Sequence, residues 1–118
     1  MKREQRLRTP ADFRRVRDNA ARGWPHPLLV LYAAPNDLGR TRVGITVSSR
    51  VGNAVVRNKV RRRLREALRM RFDRLAPGND LLVVARPASA RAAWPELNAA
   101  LDGVLRKSGA TTATSASV

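Results

Sequence analysis

Residues 57 to 69, RNKVRRRLREALR, carry seven arginine or lysine side chains and one glutamate, with valine and leucine between them. Guanidinium groups at this density suit phosphate oxygens, because the planar fork of arginine meets two oxygens at once. The chemistry predicted is polyanion binding. Little else in the chain competes with it. There is no cysteine and only one histidine, which rules out a disulfide framework, a thiolate metal site, a cysteine nucleophile, a zinc cluster and a histidine relay. The nine acids (Glu4, Asp12, Asp18, Asp37, Glu66, Asp73, Asp80, Glu96 and Asp102) are scattered, unlike the clustered carboxylates of a metal-dependent protein nuclease. No catalytic and no metal-ligating residue is predicted.

On a helix, Val56, Val60, Leu64 and Leu68 form an i, i+4 ladder with Ala67 beside it, which is the edge to be buried. One step round stands a second ladder of Arg57, Arg61, Arg65 and Arg69, flanked by Asn58 and Arg62. Its three like-charge pairs cost an isolated helix roughly 0.6 to 1.5 kcal/mol, at about 0.2 to 0.5 per pair. Glu66 relieves part of this. A merely solvated face mixes both signs, whereas this one is nearly single-signed. The whole chain carries a formal charge of +15 from 24 basic and 9 acidic residues, a self-repulsion that a bound polyanion offsets. Nucleic acid is the expected partner, but phosphate contacts do not separate DNA from RNA.

The elements that must hold this helix can be read on either side of it. At 118 residues the chain has the size of one domain. Thr9 is placed to cap a first helix, with Pro10 at its first position and Asp12 near its positive end. Phe13, Val16 and Ala20 make its apolar stripe, and Gly23 with Pro25 ends the segment. LLVLYA at 28 to 33 reads as a buried strand, PNDLG at 35 to 39 as a turn, and Thr41, Val43, Ile45 and Val47 as the apolar face of a second strand, the pair forming a hairpin. Asn53 caps the basic helix, which runs to about Phe72. LLVVA at 81 to 85 is a third strand, and a last helix starts near Pro95 with Leu97, Leu101, Val104 and Leu105 inward. His26 is expected at the surface, and Trp24 and Trp94 are expected to anchor element entries by burial. The order α-β-β-α-β-α predicts an α+β sandwich with helices on a small mixed sheet, residues 1–107 forming one domain and 108–118 a disordered tail. No apolar segment is long enough for a membrane span, and the basic start MKREQRLR is followed by no apolar stretch, so a cytoplasmic location is expected.

The run RVGITVSSRVGNAVVRNKVRRRLREALR at 42 to 69 closely resembles the protein subunit of bacterial ribonuclease P, in which a strand leads through VGNAV into a basic helix. TPADFRRVRDNAARG and DLLVVARPA resemble the family's first helix and its later strand, so the likeness spans about residues 5 to 107. It implies a basic helix crossing between parallel strands in the rare left-handed sense, where a right-handed crossover is the general rule. It implies an accessory subunit of a ribonucleoprotein endoribonuclease. On this resemblance a large catalytic RNA, using Mg2+, removes the 5′ leader of precursor tRNA, and no obligate protein partner is predicted for the chain.

Carried over by position, the family's RNR motif falls on Arg57, Asn58 and Lys59 and continues through Arg61, Arg62, Arg65 and Arg69, which would contact the catalytic RNA. Lysine in the third place keeps the charge and loses the fork. The family's leader-binding cleft, between the first helix and the sheet, maps to Phe13 and Tyr32, with Arg50 and Arg86 on its basic rim. Ring stacking there tolerates any base. Arg17 stands where a second aromatic is usual, and Ser49-Arg50 where a basic pair is usual. Two readings stand for Phe13 and for Tyr32: a ring in the leader cleft, or a ring filling the core. The competing function is a structural RNA-binding protein, such as a ribosomal one, which needs the basic helix and no cleft.

Overall fold

The computed structural model describes residues 2–111. Its helices are α1 (Pro10–Asn19), α2 (Ala54–Arg71) and α3 (Trp94–Lys107), and its strands β1 (Gly23–Pro25), β2 (Leu29–Pro35), β3 (Arg42–Val47) and β4 (Asn79–Ala85). The sheet order is β1-β2-β4-β3. β2 is antiparallel to both neighbours, and β3 is parallel to β4. The α+β sandwich with a mixed sheet is therefore the architecture, and α2 is the connection between its two parallel strands.

The first two helices start where a capping side chain places them. The Thr9 hydroxyl accepts from Asp12 N–H at 3.1 Å and the Asp12 carboxylate accepts from Thr9 N–H at 3.3 Å, a reciprocal box that satisfies two otherwise orphaned donors. The Asn53 side chain accepts from Val56 N–H at 3.0 Å. A Cβ on Gly52 would lie 2.9 Å from Val56 Cβ, so the tight entry into α2 needs glycine there.

Period-2 alternation divides the sheet into two faces. Leu29, Leu31, Leu81, Val83, Val43 and Val47 face α2 and α3, where Val60, Leu64, Ala67, Leu68, Leu97 and Leu101 complete the main core. Tyr32, Ala34, Leu82 and Val84 face α1 and form a smaller cluster with Leu7, Phe13 and Val16. The main core thus holds α2 by one edge and leaves its other sides outward.

Several expectations are corrected. The strands at 28 to 33 and 41 to 48 do not form a hairpin: β4 lies between them, because the long α2 connection returns the chain to the middle of the sheet. Gly23 and Pro25 do not merely end the first helix, which stops at Asn19, but belong to the additional edge strand β1. The ordered fold also passes the boundary at 107. Ala76 N–H donates to Ala110 O at 2.6 Å, Ala110 is buried, and Leu75 bridges to Thr111. The rest of the expected tail, 112–118, lies outside the described residues.

Candidate nucleic-acid interface

The arginine ladder of α2 climbs away from the sheet. An i, i+4 step of 400° overshoots a full turn by about 40°, so successive rungs rotate outward. Arg57 and Arg61 are half-buried, and Arg65 and Arg69 are exposed. Arg57 Nε is closed off from solvent and has no hydrogen-bond partner among the described residues. Arg61 donates to Asn58 Oδ1 at 2.9 Å. Arg69 is held by a two-pronged pair with Glu66, which raises the guanidinium pKa and lowers that of the carboxylate, the hydrogen bond being the main cause of both. Lys59, Arg62 and Asn58 are exposed.

Between α1, β3 and α2 run two adjoining grooves. The first, of about 460 Å³, is lined by Pro10, Phe13, Arg14, Arg17, Asp18, Ile45, Thr46, Val47, Arg61 and Leu82. The second, of about 310 Å³, is lined by Arg6, Leu7, Arg8, Phe13, Val43, Gly44, Ile45, Arg61 and Arg65. They share Phe13, Ile45 and Arg61, so the two form one basic channel along β3. Asp18 is the one carboxylate on its walls.

Phe13 is half-buried and sits directly over Gly44. A Cβ on Gly44 would overlap Phe13 Cε1 and come within 2.9 Å of Leu7 Cδ1. The Phe13 ring thus packs on the sheet and also lines both grooves, so core packing does not take it out of reach of a ligand. Gly44, Leu82 and Tyr32 form one row across β3, β4 and β2. Tyr32 is absent from the groove walls. Arg17 covers it, with its guanidinium carbon 5.5 Å from the ring centroid. Arg50 and Arg86 are exposed beyond the paired ends of β3 and β4, where Val47 lies opposite Ala85, and neither lines the grooves.

The structure thus joins Phe13, Arg17, Arg61 and Arg65, which the sequence had assigned to two separate surfaces. It adds Arg14, Ile45 and Thr46, along with Arg6 and Arg8 from the N-terminal segment. The α1 contribution was readable, because Pro10, Phe13, Arg14, Arg17 and Asp18 follow i, i+3, i+4, i+7, i+8. The N-terminal contribution was not, since it depends on Leu7 N–H donating to Val43 O at 2.8 Å, which lays residues 6 and 7 along the edge of β3.

Two ion-pair networks brace the frame. Buried Asp80 accepts from Arg42 Nε at 2.9 Å, from Arg42 Nη2 at 2.7 Å and from Asn36 Nδ2 at 2.8 Å. The Asp80 bonds hold the Arg42 pKa above its ordinary value. Arg71, 6% exposed at the end of α2, donates to Asp102 at 2.5 Å and to Ala67 O at 2.8 Å, tying α2 to α3. His26, half-buried rather than on the open surface, accepts from Leu28 N–H through Nδ1 at 3.0 Å. Among the described residues no three His, Cys, Asp or Glu side chains are grouped to hold a metal, and no helix is long and apolar enough to cross a membrane.

Residues 1–109 match the family model described as Ribonuclease P. The chain belongs to the ribonuclease P protein family. It is 45% identical over 107 residues to the ribonuclease P protein component of Herpetosiphon aurantiacus, covering 91% of this chain and 86% of the relative. To that of Roseiflexus castenholzii it is 46% identical over 110 residues, covering 92% and 89%. Among solved structures, the Staphylococcus aureus RNase P protein superposes with a TM-score of 0.84 at 28% identity, covering 92% of this chain and 98% of that one. The Thermotoga maritima RNase P protein gives 0.78 at 25% identity, covering 86% and 96%. The ribonuclease P family accounts for the VGNAV run, the basic helix and the fold together, and a chain of this family is a component of the enzyme that processes the 5′ end of tRNA.

Proposed function

We propose that the chain binds the catalytic RNA of ribonuclease P through α2 and grips the single-stranded 5′ leader of precursor tRNA in the channel along β3. The observation that carries this reading is Arg61, which belongs both to the α2 ladder and to the groove floored by Phe13. Asn58, Lys59, Arg62 and Arg65 present donors outward to the catalytic RNA, with Arg57 and Arg61 at the base of the ladder. Arg69 joins them only by sharing its guanidinium with Glu66. In the channel, Phe13 offers a ring for sequence-tolerant stacking, and Arg14, Arg17 and Arg61 neutralise leader phosphates. Tyr32 supports Arg17 from below, while Arg50 and Arg86 extend the positive field beyond the channel at the end of the sheet.

Hydrolysis belongs to the RNA in this reading, with Mg2+ supplying Lewis-acid chemistry at the scissile phosphate. The protein contributes affinity and position, and lowers the electrostatic cost of bringing two RNAs together. Reconstitution with bacterial catalytic RNA at low magnesium tests it. The protein should raise 5′ leader cleavage, and no gain would sink the proposal. A purely structural RNA-binding role would use α2 alone. In that case substitution of Phe13 and Tyr32 would leave the preference for leader-bearing over mature tRNA unchanged.

A further inference from the structure

On the far side of α2 from the channel lies an open recess of about 350 Å³ lined by Lys59, Arg62, Arg63, Glu66 and Trp94. Arg63 stands two residues from Arg61, about 160° round the helix, so α2 is a wall between two basic depressions. The far one is built rather than incidental. Arg63 Nη1 donates to Ala92 O at 3.1 Å, which fixes the guanidinium against the chain entering α3. Trp94 is half-buried, packed on the main core, so its ring is held while part of it stays open. The other two ring systems near cations are already covered: Arg22 lies 4.1 Å from the Trp24 ring centroid and Arg17 covers Tyr32. No such cover is present on Trp94 among the described residues. The carboxylate in the recess, Glu66, is engaged by Arg69.

We propose that this recess is a second nucleotide site, in which the Trp94 indole stacks on an unpaired base of the catalytic RNA while Lys59 and Arg62 hold the adjoining phosphates. The volume falls within the roughly 300 to 1,000 Å³ that accommodates small ligands, and the open side admits a base still attached to its polymer. Three cations around one available indole match the combination of basic groove and aromatic platform that binds unpaired nucleotides. The inference rests on α2 facing the catalytic RNA, and it adds a contact that charge alone does not supply.

The test uses the full chain and the catalytic RNA. Trp94→Leu keeps an apolar side chain and removes the stacking face. It should weaken RNA binding about tenfold, and Trp94→Phe should recover most of the loss. In a Trp24→Phe background Trp94 is the sole tryptophan, and its emission should be quenched on saturation with the catalytic RNA but not with inorganic phosphate. This readout decides the matter even where Trp94→Leu fails to fold. Unchanged emission at saturation, or wild-type affinity in a folded Trp94→Leu variant, overturns the site. Where either result overturns the site, weakened binding by Arg61→Ala in the same assay shows that the role of α2 still stands. Loss of all RNA binding by the wild-type chain would overturn both.

Discussion

Phe13 and Gly44 divide one space between α1 and β3: the ring occupies the volume in which any Cβ on Gly44 would lie. The close approach lets α1 settle on the sheet while Phe13 still lines the channel. Gly44→Ala should therefore cost stability, at the roughly 1 to 3 kcal/mol typical of overpacking, and should tilt Phe13 out of place. Urea unfolding measures the first effect. Binding of leader-bearing against mature tRNA measures the second, and an unchanged ratio would remove Phe13 from the leader site.

Arg17 separates stability from binding. Its contact with Tyr32 is exposed, a setting in which a cation–π pair contributes about 0.5 to 1 kcal/mol. Arg17→Ala should shift the unfolding midpoint only slightly, yet weaken precursor tRNA relative to mature tRNA. Arg17→Phe, which restores the aromatic usual in the family, should keep the preference. Equal loss in both variants would mean that charge, not a flat stacking surface, is what the position supplies.

Asp80 braces the edge of the sheet where β4 meets β3. Its removal would strand Arg42 with one distant carboxylate, Asp12 at 4.0 Å. Breaking a buried pair from one side costs about 3 kcal/mol or more, so Asp80→Ala should be among the most destabilising single changes, readable by thermal unfolding. A loss below about 1 kcal/mol would class the pair with ordinary surface bridges.

What was legible in the sequence follows a physical pattern. Caps and periodicities act over four residues or fewer, so Thr9, Pro10, Asn53 and both α2 ladders could be read directly. The hairpin failed because adjacency in sequence stands in for adjacency in space, and α2 carries the chain back between β2 and β3. Arg71 and Asp80 look like surface charges until their partners, 31 and 38 residues away, are known. The joining of the α2 ladder to the Phe13 groove was hidden for the same reason. Helix periodicity fixes which side Arg61 takes, while packing on β3 determines what it faces.

Acid should destabilise the fold through two carboxylates. For Asp102 the Arg71 hydrogen bond, opposed by partial burial, holds the pKa below its ordinary value. For Asp12 partial burial acts upward, but the Arg8 and Thr9 amides, the Thr9 hydroxyl and Arg42 outweigh it, so its pKa is also lowered. A depressed folded-state pKa contributes stability that is present above the unfolded value, about 3.9, and is lost as pH falls through the folded one. Thermal midpoints should hold near neutrality and fall below about pH 4. Asp102→Asn should flatten that decline. A decline of unchanged steepness would assign the acid sensitivity to other carboxylates.

Glu66 and Arg69 set a last test of the α2 surface. Their mutual pair leaves the outer turn of the helix nearly neutral, so Arg69 should add less to RNA binding than the exposed Arg65, which has no carboxylate partner among the described residues. Each phosphate contact steepens the dependence of log K on log salt by about 0.7 to 0.9. Arg65→Ala should reduce that slope by up to about one contact, and Arg69→Ala by less. Glu66→Gln should do the reverse: it frees the Arg69 guanidinium, strengthens binding and steepens the slope. Both residues are exposed, so the substitution should leave the unfolding midpoint almost unmoved. Binding that is unchanged or weaker in Glu66→Gln would show that this end of α2 points away from the RNA, and would confine the interface to the turns from Arg57 to Arg65.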